Sequence, residues 1–328
     1  MPLNNEQKLR LLANLTRAVA ADQLMMRLIR SGKMVGFYHE GGVAMAPGVA
    51  AGSFLRKDDP FLPHYRAHGV AHMLSKGLDI RSYVAEHTGR ATGCCKGRSS
   101  FHASYPGAGL YGSSGNIGAN FPTAVGLGFA SKYRKTDRVV MNCSGDGSYG
   151  EGRAHEGMLM AANWKLPIVF WCENNGISQH AAMSELFPAE RISALAAGFG
   201  IPAKVVDGQD LFACGEAALE AIAHVRAGKG PIFIELLTLR SQEHSVGGLN
   251  YEGPAPRDPE LMAEWKRTRD PLKLVVARAL AEGLCAEADI DAMRASAETE
   301  MQDIEDFVDR SPKATPPADE LARAVYAA

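Results

Sequence analysis

The sequence predicts an α/β fold: a mostly parallel sheet with helices on both faces, plus a C-terminal helical arm. Two observations carry this. From residue 123 onward, apolar runs of strand length alternate with longer helical stretches, the pattern of parallel strands joined by helical crossovers. At 328 residues the chain can bury roughly three quarters of its unfolded surface, so it needs no disulfide or metal staple. The expected organisation is one large domain over 1–255, with its N-terminal helix included, and a charged helical arm over 256–328.

Taken in order, residues 4–31 read as a helix. Glu6, Lys8, Arg10 and Arg17 interleave with Leu12, Leu15 and Val19, and Ser31-Gly32 ends it. The segment HEGGVAMAPGVAAG, residues 39–52, has so little bulk that it implies closely packed helix ends or backbone near a ligand. A turn at KDDP, the stretch HYRAHG and a helix over 79–87 follow. Residues 92–122 are rich in glycine and serine with little periodicity, and a loop that long inside a compact domain is either functional or wrongly assigned as a loop. Then come a helix (123–133), a strand (138–143), a helix (151–163), a strand (167–172), a helix (190–198), a strand (203–206), a helix (210–226) and a strand (231–238). Trp164 and Trp171 read as core.

Composition excludes several classes. The net charge is -2 with both signs scattered, and no basic block exists to neutralise a phosphate backbone. No apolar run reaches the roughly 18 residues of a membrane span. Six cysteines form no C-x-x-C pair, and the adjacent Cys94 and Cys95 have poor disulfide geometry, so a reducing cytoplasm is expected.

The stretch RVVMNCSGDGSYGEG, residues 138–152, poses the central question. Gly145, Gly147 and Gly150 spell a dinucleotide-binding pattern after an apolar run, and Glu173 ends the next strand where a ribose-binding acid would sit. Asp146 argues against it. A carboxylate between the glycines would face a pyrophosphate, and two like charges about 4 Å apart repel by roughly 4 kcal/mol at an effective dielectric near 20. A divalent cation between them inverts the sign. A hard Mg²⁺ or Ca²⁺ wants further oxygens, and Asn175 in ENNG, with a backbone carbonyl near Ile177, comes from the neighbouring strand's carboxyl end.

GDGSYGEG followed by ENNG resembles the G-D-G to N-N motif of thiamine diphosphate enzymes, in which Asp and Asn hold a Mg²⁺ that bridges to the cofactor. Over residues 35–275 the chain resembles the alpha subunit of the decarboxylating component of 2-oxo acid dehydrogenase complexes, including acetoin dehydrogenases. HYRAHG, YGSSGNIGANFPTAVGLGFA, VDGQD and EWKRTRDPL are further blocks of that match. The resemblance implies a thiamine diphosphate-binding fold. It makes Asp146, Asn175 and Ile177 the metal ligands, and Tyr65, Arg66, Gly115, Ile117, Gly145 and Gly147 cofactor contacts. His39, His102 and His244 would lie near the cofactor's reactive end as catalytic groups. It further implies a beta subunit that supplies the activating glutamate, a heterotetramer with two of each chain, and a lipoyl-bearing acyltransferase that takes the acyl unit.

The sequence departs from that family at the substrate end. Gly41-Gly42-Val43-Ala44 stands where many members have Gly-Gln-Glu-Ala, and SVGGLNYEG follows His244 in place of an aspartate and Tyr-Arg. Two alternatives therefore stand beside the main reading: a nicotinamide-dependent dehydrogenase using the glycine loop directly, and a non-catalytic subunit that binds thiamine diphosphate. The substrate, whether pyruvate, a branched-chain 2-oxo acid, acetoin or another ketone, is not separable at this level.

Overall fold

The computed structural model describes residues 1–34, 36–247 and 258–325. In chain order its elements are α1 (Asn5–Arg30), β1 (Phe37–Tyr38), α2 (Ala46–Ser53), β2 (Phe61–Leu62), α3 (Val70–Ser75), α4 (Ile80–His87), α5 (Asn120–Tyr133), β3 (Val140–Gly145), α6 (Gly152–Asn163) and β4 (Ile168–Asn174). There follow β5 (Ile177–Ser178), β6 (Ala181–Ala182), α7 (Met183–Leu186), α8 (Ser193–Gly198), β7 (Ala203–Asp207), α9 (Leu211–Arg226), β8 (Ile232–Leu237) and β9 (Val246–Gly247). The last helices are α10 (Pro259–Thr268), α11 (Pro271–Ala281), α12 (Glu287–Arg310) and α13 (Ala318–Val325).

Strands β2, β3, β4, β8 and β7 lie side by side in that order, and every neighbouring pair is parallel. The inner strands are buried on both faces, which is why their sequences are continuously apolar rather than alternating. Along β4, Ile168, Phe170 and Cys172 face Phe121, Ala124 and Met158 of α5 and α6. Val169 and Trp171 face Ala217, Ala221 and Val225 of α9 on the other side. The expected α/β architecture is present.

Caps fix the ends of the longer helices. Asn4 and Gln7 form a reciprocal capping box at α1, and the Asp210 carboxylate accepts two backbone N–H bonds at the start of α9, contributions of about 1 kcal/mol each. Helix α2 is buried throughout. Its small residues allow a close approach: a Cβ at Gly48 would sit 2.7 Å from the His72 ring.

Two boundaries differ from expectation for identifiable reasons. The strand expected over 138–143 runs instead from Val140 to Gly145, because the Val139 N–H is taken by the Asp59 carboxylate at 2.9 Å. The helix expected from 190 begins at Ser193, where the Glu235 carboxylate accepts the N–H groups of Ile192 and Ser193. Trp164, expected in the core, is 43% exposed beside Phe129, whereas Trp171 is fully buried. The expected boundary at 255 lies outside the described residues. Beyond 258, Val275, Ala279 and Ile290 pack with Leu11, Leu12 and Leu15, while Met301, Ile304 and Val308 pack with Leu24, Met25 and Leu28.

Candidate functional site

Register decides where the site forms. Strands β3 and β4 pair so that Gly145 sits opposite Glu173; Asp146 follows the first directly and Asn175 lies two residues after the second. Both side chains therefore emerge at the carboxyl edge of adjacent parallel strands, where open α/β sheets hold ligands. The flanking glycines are required by close packing. A Cβ at Gly145 would lie 2.9 Å from His64 Nε2, and one at Gly147 would lie 2.2 Å from Ser178 Oγ.

Asp146 is only 2% exposed. Its oxygens accept the N–H groups of Gly147 at 3.0 Å and Gly176 at 2.7 Å, and among the described residues no side-chain cation pairs with it. Burial pushes its pKa up to about 6, with the backbone bonds opposing. The Asn175 Oδ1 accepts the Ile177 N–H at 3.2 Å. A carboxylate, an amide oxygen and a backbone carbonyl are the hard donors that Mg²⁺ takes. A buried carboxylate that forms no salt bridge among the described residues fits that ion.

Two guanidiniums meet the same cavity, which measures about 470 Å³. Arg66 donates through Nη1 to the His244 carbonyl at 3.0 Å and the Glu40 carbonyl at 3.4 Å, and its buried Nε has no partner. Arg240 donates to the Gln179 carbonyl at 2.8 Å, and its Nε is likewise unpartnered. Burial lowers both pKa values, that of Arg240 to about 10, so Arg240 remains a cation at neutral pH. Two guanidiniums and a carboxylate lining one cavity suit an anion together with a metal. Arg240 was missed by sequence reasoning, because a single arginine in a loop carries no pattern.

The other end of the cavity is built differently. The short antiparallel pair of β1 with β9 brings His39 beside His244, with ring centroids 4.8 Å apart, and Tyr65 lies 4.7 Å from His39. Burial, then the charge of Arg66, lowers both histidine pKa values, His39 far down and His244 to about 3. Both are neutral at pH 7. Gly115 and Ile117 line the cavity with Phe101, so the long loop over 92–122 does border the site.

The cavity thus gathers His39, Tyr65, Arg66, Gly115, Ile117, Gly145, Asp146, Gly147, Asn175, Ile177 and His244. His102 is the exception. It is exposed and outside the lining, with its ring 4.2 Å from Phe101, because the turn over Ser100–His102 points Phe101 inward instead. His64 and Phe37 also line the cavity without having been singled out.

Glu173 corrects the nicotinamide alternative. It does not face the crevice: it is 3% exposed, its Oε1 lies 2.6 Å from His72 Nε2, and its Oε2 lies 3.4 Å from His64 Nδ1. Burial alone would raise its pKa, but the two imidazoles outweigh it and hold it at about 2. The glycine run also fails as a phosphate-binding helix start, since a 3₁₀ turn over Asp146–Gly150 separates Gly145 from the helix beginning at Gly152.

Comparison with known proteins agrees with this geometry. Residues 13–317 match the profile of the family described as Dehydrogenase E1 component. The chain is 35% identical over 261 residues to the pyruvate dehydrogenase E1 component subunit alpha of Rhizobium meliloti (strain 1021), covering 79% of this chain and 73% of that protein. It is 36% identical over 293 residues to the subunit of the same name from Zymomonas mobilis, covering 88% and 79%. It is 34% identical over 317 residues to the somatic mitochondrial form of Homo sapiens, covering 93% and 75%. With the profile spanning most of its length and these identities beside it, the chain belongs to the dehydrogenase E1 component family.

Proposed function

We propose that this chain is the alpha subunit of a two-chain, thiamine diphosphate- and Mg²⁺-dependent 2-oxo acid dehydrogenase that works in the cytoplasm. The observation that carries the reading is the register of β3 against β4, which sets Asp146 and Asn175 on adjacent strand ends in a cavity that two guanidiniums also line. Asp146, Asn175 and the Ile177 carbonyl hold the metal, while Arg66, Tyr65 and the Gly145–Gly147 backbone receive the diphosphate. Bound there, the cofactor supplies the nucleophilic carbon and the electron sink for cleaving a bond next to a carbonyl. His39 and His244, neutral and facing the cavity, orient the substrate and move protons at their ring nitrogens. The names of the relatives support a pyruvate-like 2-oxo acid as substrate, with an acyloin such as acetoin as the second candidate.

A beta subunit completes the site, giving two of each chain, and a lipoyl-bearing acyltransferase accepts the acyl unit. The apolar surface at Phe129, Tyr133 and Trp164, which are 50%, 78% and 43% exposed, supports such a partner. Among the described residues no helix is long and apolar enough to cross a membrane.

The test is calorimetric titration of thiamine diphosphate into the co-purified two-chain complex, with and without Mg²⁺, beside Asp146→Ala. Binding that requires both the metal and Asp146 is expected, with reduction of an artificial electron acceptor on adding a 2-oxo acid. Metal-independent binding overturns the reading. Binding without turnover on any 2-oxo acid or acyloin would favour a non-catalytic subunit, a reading that the altered Gly41–Ala44 segment keeps in play.

A further inference from the structure

Beneath the metal-binding turn lies a buried trio that the proposed function leaves unused: His64, Glu173 and His72. A carboxylate with two imidazoles against it acts only as acceptor, so each ring gives it an N–H: His72 through Nε2 at 2.6 Å and His64 through Nδ1 at 3.4 Å. Cys143 Sγ lies within 4.8 Å of the His72 and Glu173 ligand atoms, but these four residues are not a metal centre of their own. His72 Nε2 and Glu173 Oε1 lie at direct hydrogen-bond distance, 2.6 Å, and the buried His72 Nδ1 has no partner, whereas a ligating histidine normally donates through its other nitrogen.

The consequence falls on His64. With Nδ1–H turned to Glu173, the neutral ring carries its lone pair at Nε2, the atom that packs against Gly145, one residue before Asp146. His64 lines the main cavity and also an adjoining crevice of about 10 Å³, which it shares with Ser144 and Ser148. That is space for about one water. An acceptor nitrogen repels a phosphate oxygen, so it takes a donor. Mg²⁺ dehydrates reluctantly and keeps waters, whose hydrogens are strong donors.

We propose that His64 is an outer-sphere residue of the metal site: held in one tautomer by Glu173, with His72 fixing Glu173 in turn, it accepts a hydrogen bond through Nε2 from a water of the cation's hydration shell. This rests on the reading of Asp146 and Asn175 as metal ligands. His64 thereby acts on the metal and not on the diphosphate, and Glu173 and His72 are positioning residues.

The test is a pair of calorimetric titrations on the two-chain complex: Mg²⁺ into complex saturated with thiamine diphosphate, and thiamine diphosphate into complex saturated with Mg²⁺. His64→Phe is expected to weaken Mg²⁺ by about 10–100-fold while leaving the diphosphate affinity at saturating Mg²⁺ within about threefold, as loss of an outer-sphere partner does. His64→Gln, whose amide oxygen accepts, is expected to recover most of that loss, and Glu173→Gln to reproduce it. Thermal melts confirm folding, and if Glu173→Gln fails to fold, the His64 pair decides. Weakened diphosphate binding with unchanged Mg²⁺ affinity would overturn the proposal and make His64 a phosphate donor; no change in either titration would overturn it outright. Asp146→Ala, run in parallel, separates this failure from that of the underlying reading, since unchanged Mg²⁺ dependence there removes the metal site itself.

Discussion

The two ends of the cavity are made by different means. The sheet end, around Asp146, rests on the carboxyl edges of β3 and β4, buried strands locked in register over six residue pairs, and its carboxylate is held by backbone N–H groups. The histidine end rests on β1 and β9, two residues each, with only two register pairs between them. Arg66 joins the ends by donating to the carbonyls of Glu40 and His244. The lesson is a division of labour: a charge arrangement fixed on the rigid sheet, and a reshapeable pocket on loops that a few side-chain bonds tie down.

The sharpest way to break this comparison is to separate turnover from binding. If His39 belongs to the chemistry and not to cofactor binding, His39→Gln lowers turnover by about 10²–10⁴-fold while the calorimetric affinity for thiamine diphosphate is retained. A parallel fall in affinity would show the two ends to be one unit. Arg66→Met should do what His39→Gln does not. Losing a buried charged donor costs about 2–5 kcal/mol of cofactor affinity, and because its tie to the His244 carbonyl goes too, turnover at saturating cofactor should also drop. Arg66→Lys restores charge but not the fork, and should recover only part of the affinity.

The same division explains what was legible in the sequence. The parallel sheet was readable because doubly buried strands are continuous apolar runs and because helix caps are local. The placement of Asp146 was readable because a carboxylate among glycines at a strand end stands out electrostatically, and a crossover between parallel strands brings Asn175 to the same edge. The histidine end was less so. His39 and His244 meet through a pairing across more than two hundred residues that no local pattern announces, and the direction of the turn at Ser100–His102 brings in Phe101 and leaves His102 outside. His64 and Arg240 were missed for the same reason: each becomes informative only through a partner on a distant segment, Glu173 for one and the Gln179 carbonyl for the other.

A stability measurement sharpens the electrostatic half. The Asp146 pKa is raised in the fold to about 6 from an ordinary 3.8, so its contribution to stability is fully present below pH 3.8 and is lost as pH rises through 6. His39 and His244 work oppositely: depressed in the fold, they hold stability above about 6.5 and lose it as pH falls, so Asp146 must be isolated by difference. With EDTA present, wild type should lose about 3 kcal/mol relative to Asp146→Asn between the acid limit and pH 8, roughly half of it between pH 5 and 8. Denaturant unfolding of both proteins along a pH series checks this. A flat difference would mean that Asp146 is solvated and the sheet end is not built as described.

The smallest expected effect bears on the histidine end. The Tyr38 hydroxyl donates to the Asp22 carboxylate at 2.6 Å, and the same carboxylate accepts the N–H groups of Gly41 at 2.9 Å and Gly42 at 3.1 Å. One buried aspartate on α1 thus anchors both β1 and the glycine segment that departs from the family pattern. Tyr38→Phe removes one of three donors and leaves the ring packing intact, so it should cost about 1.5 kcal/mol in chemical denaturation, since a hydrogen bond to a charged group is worth slightly more than a neutral one. The loss should be local. Hydrogen exchange at Tyr38 and Val246 should quicken more than at Met141 or Phe170, because two register pairs close independently of the sheet. Equal acceleration in the sheet strands would mean that the two ends share one cooperative unit, and the contrast between a rigid charge frame and an adjustable pocket would have to be given up.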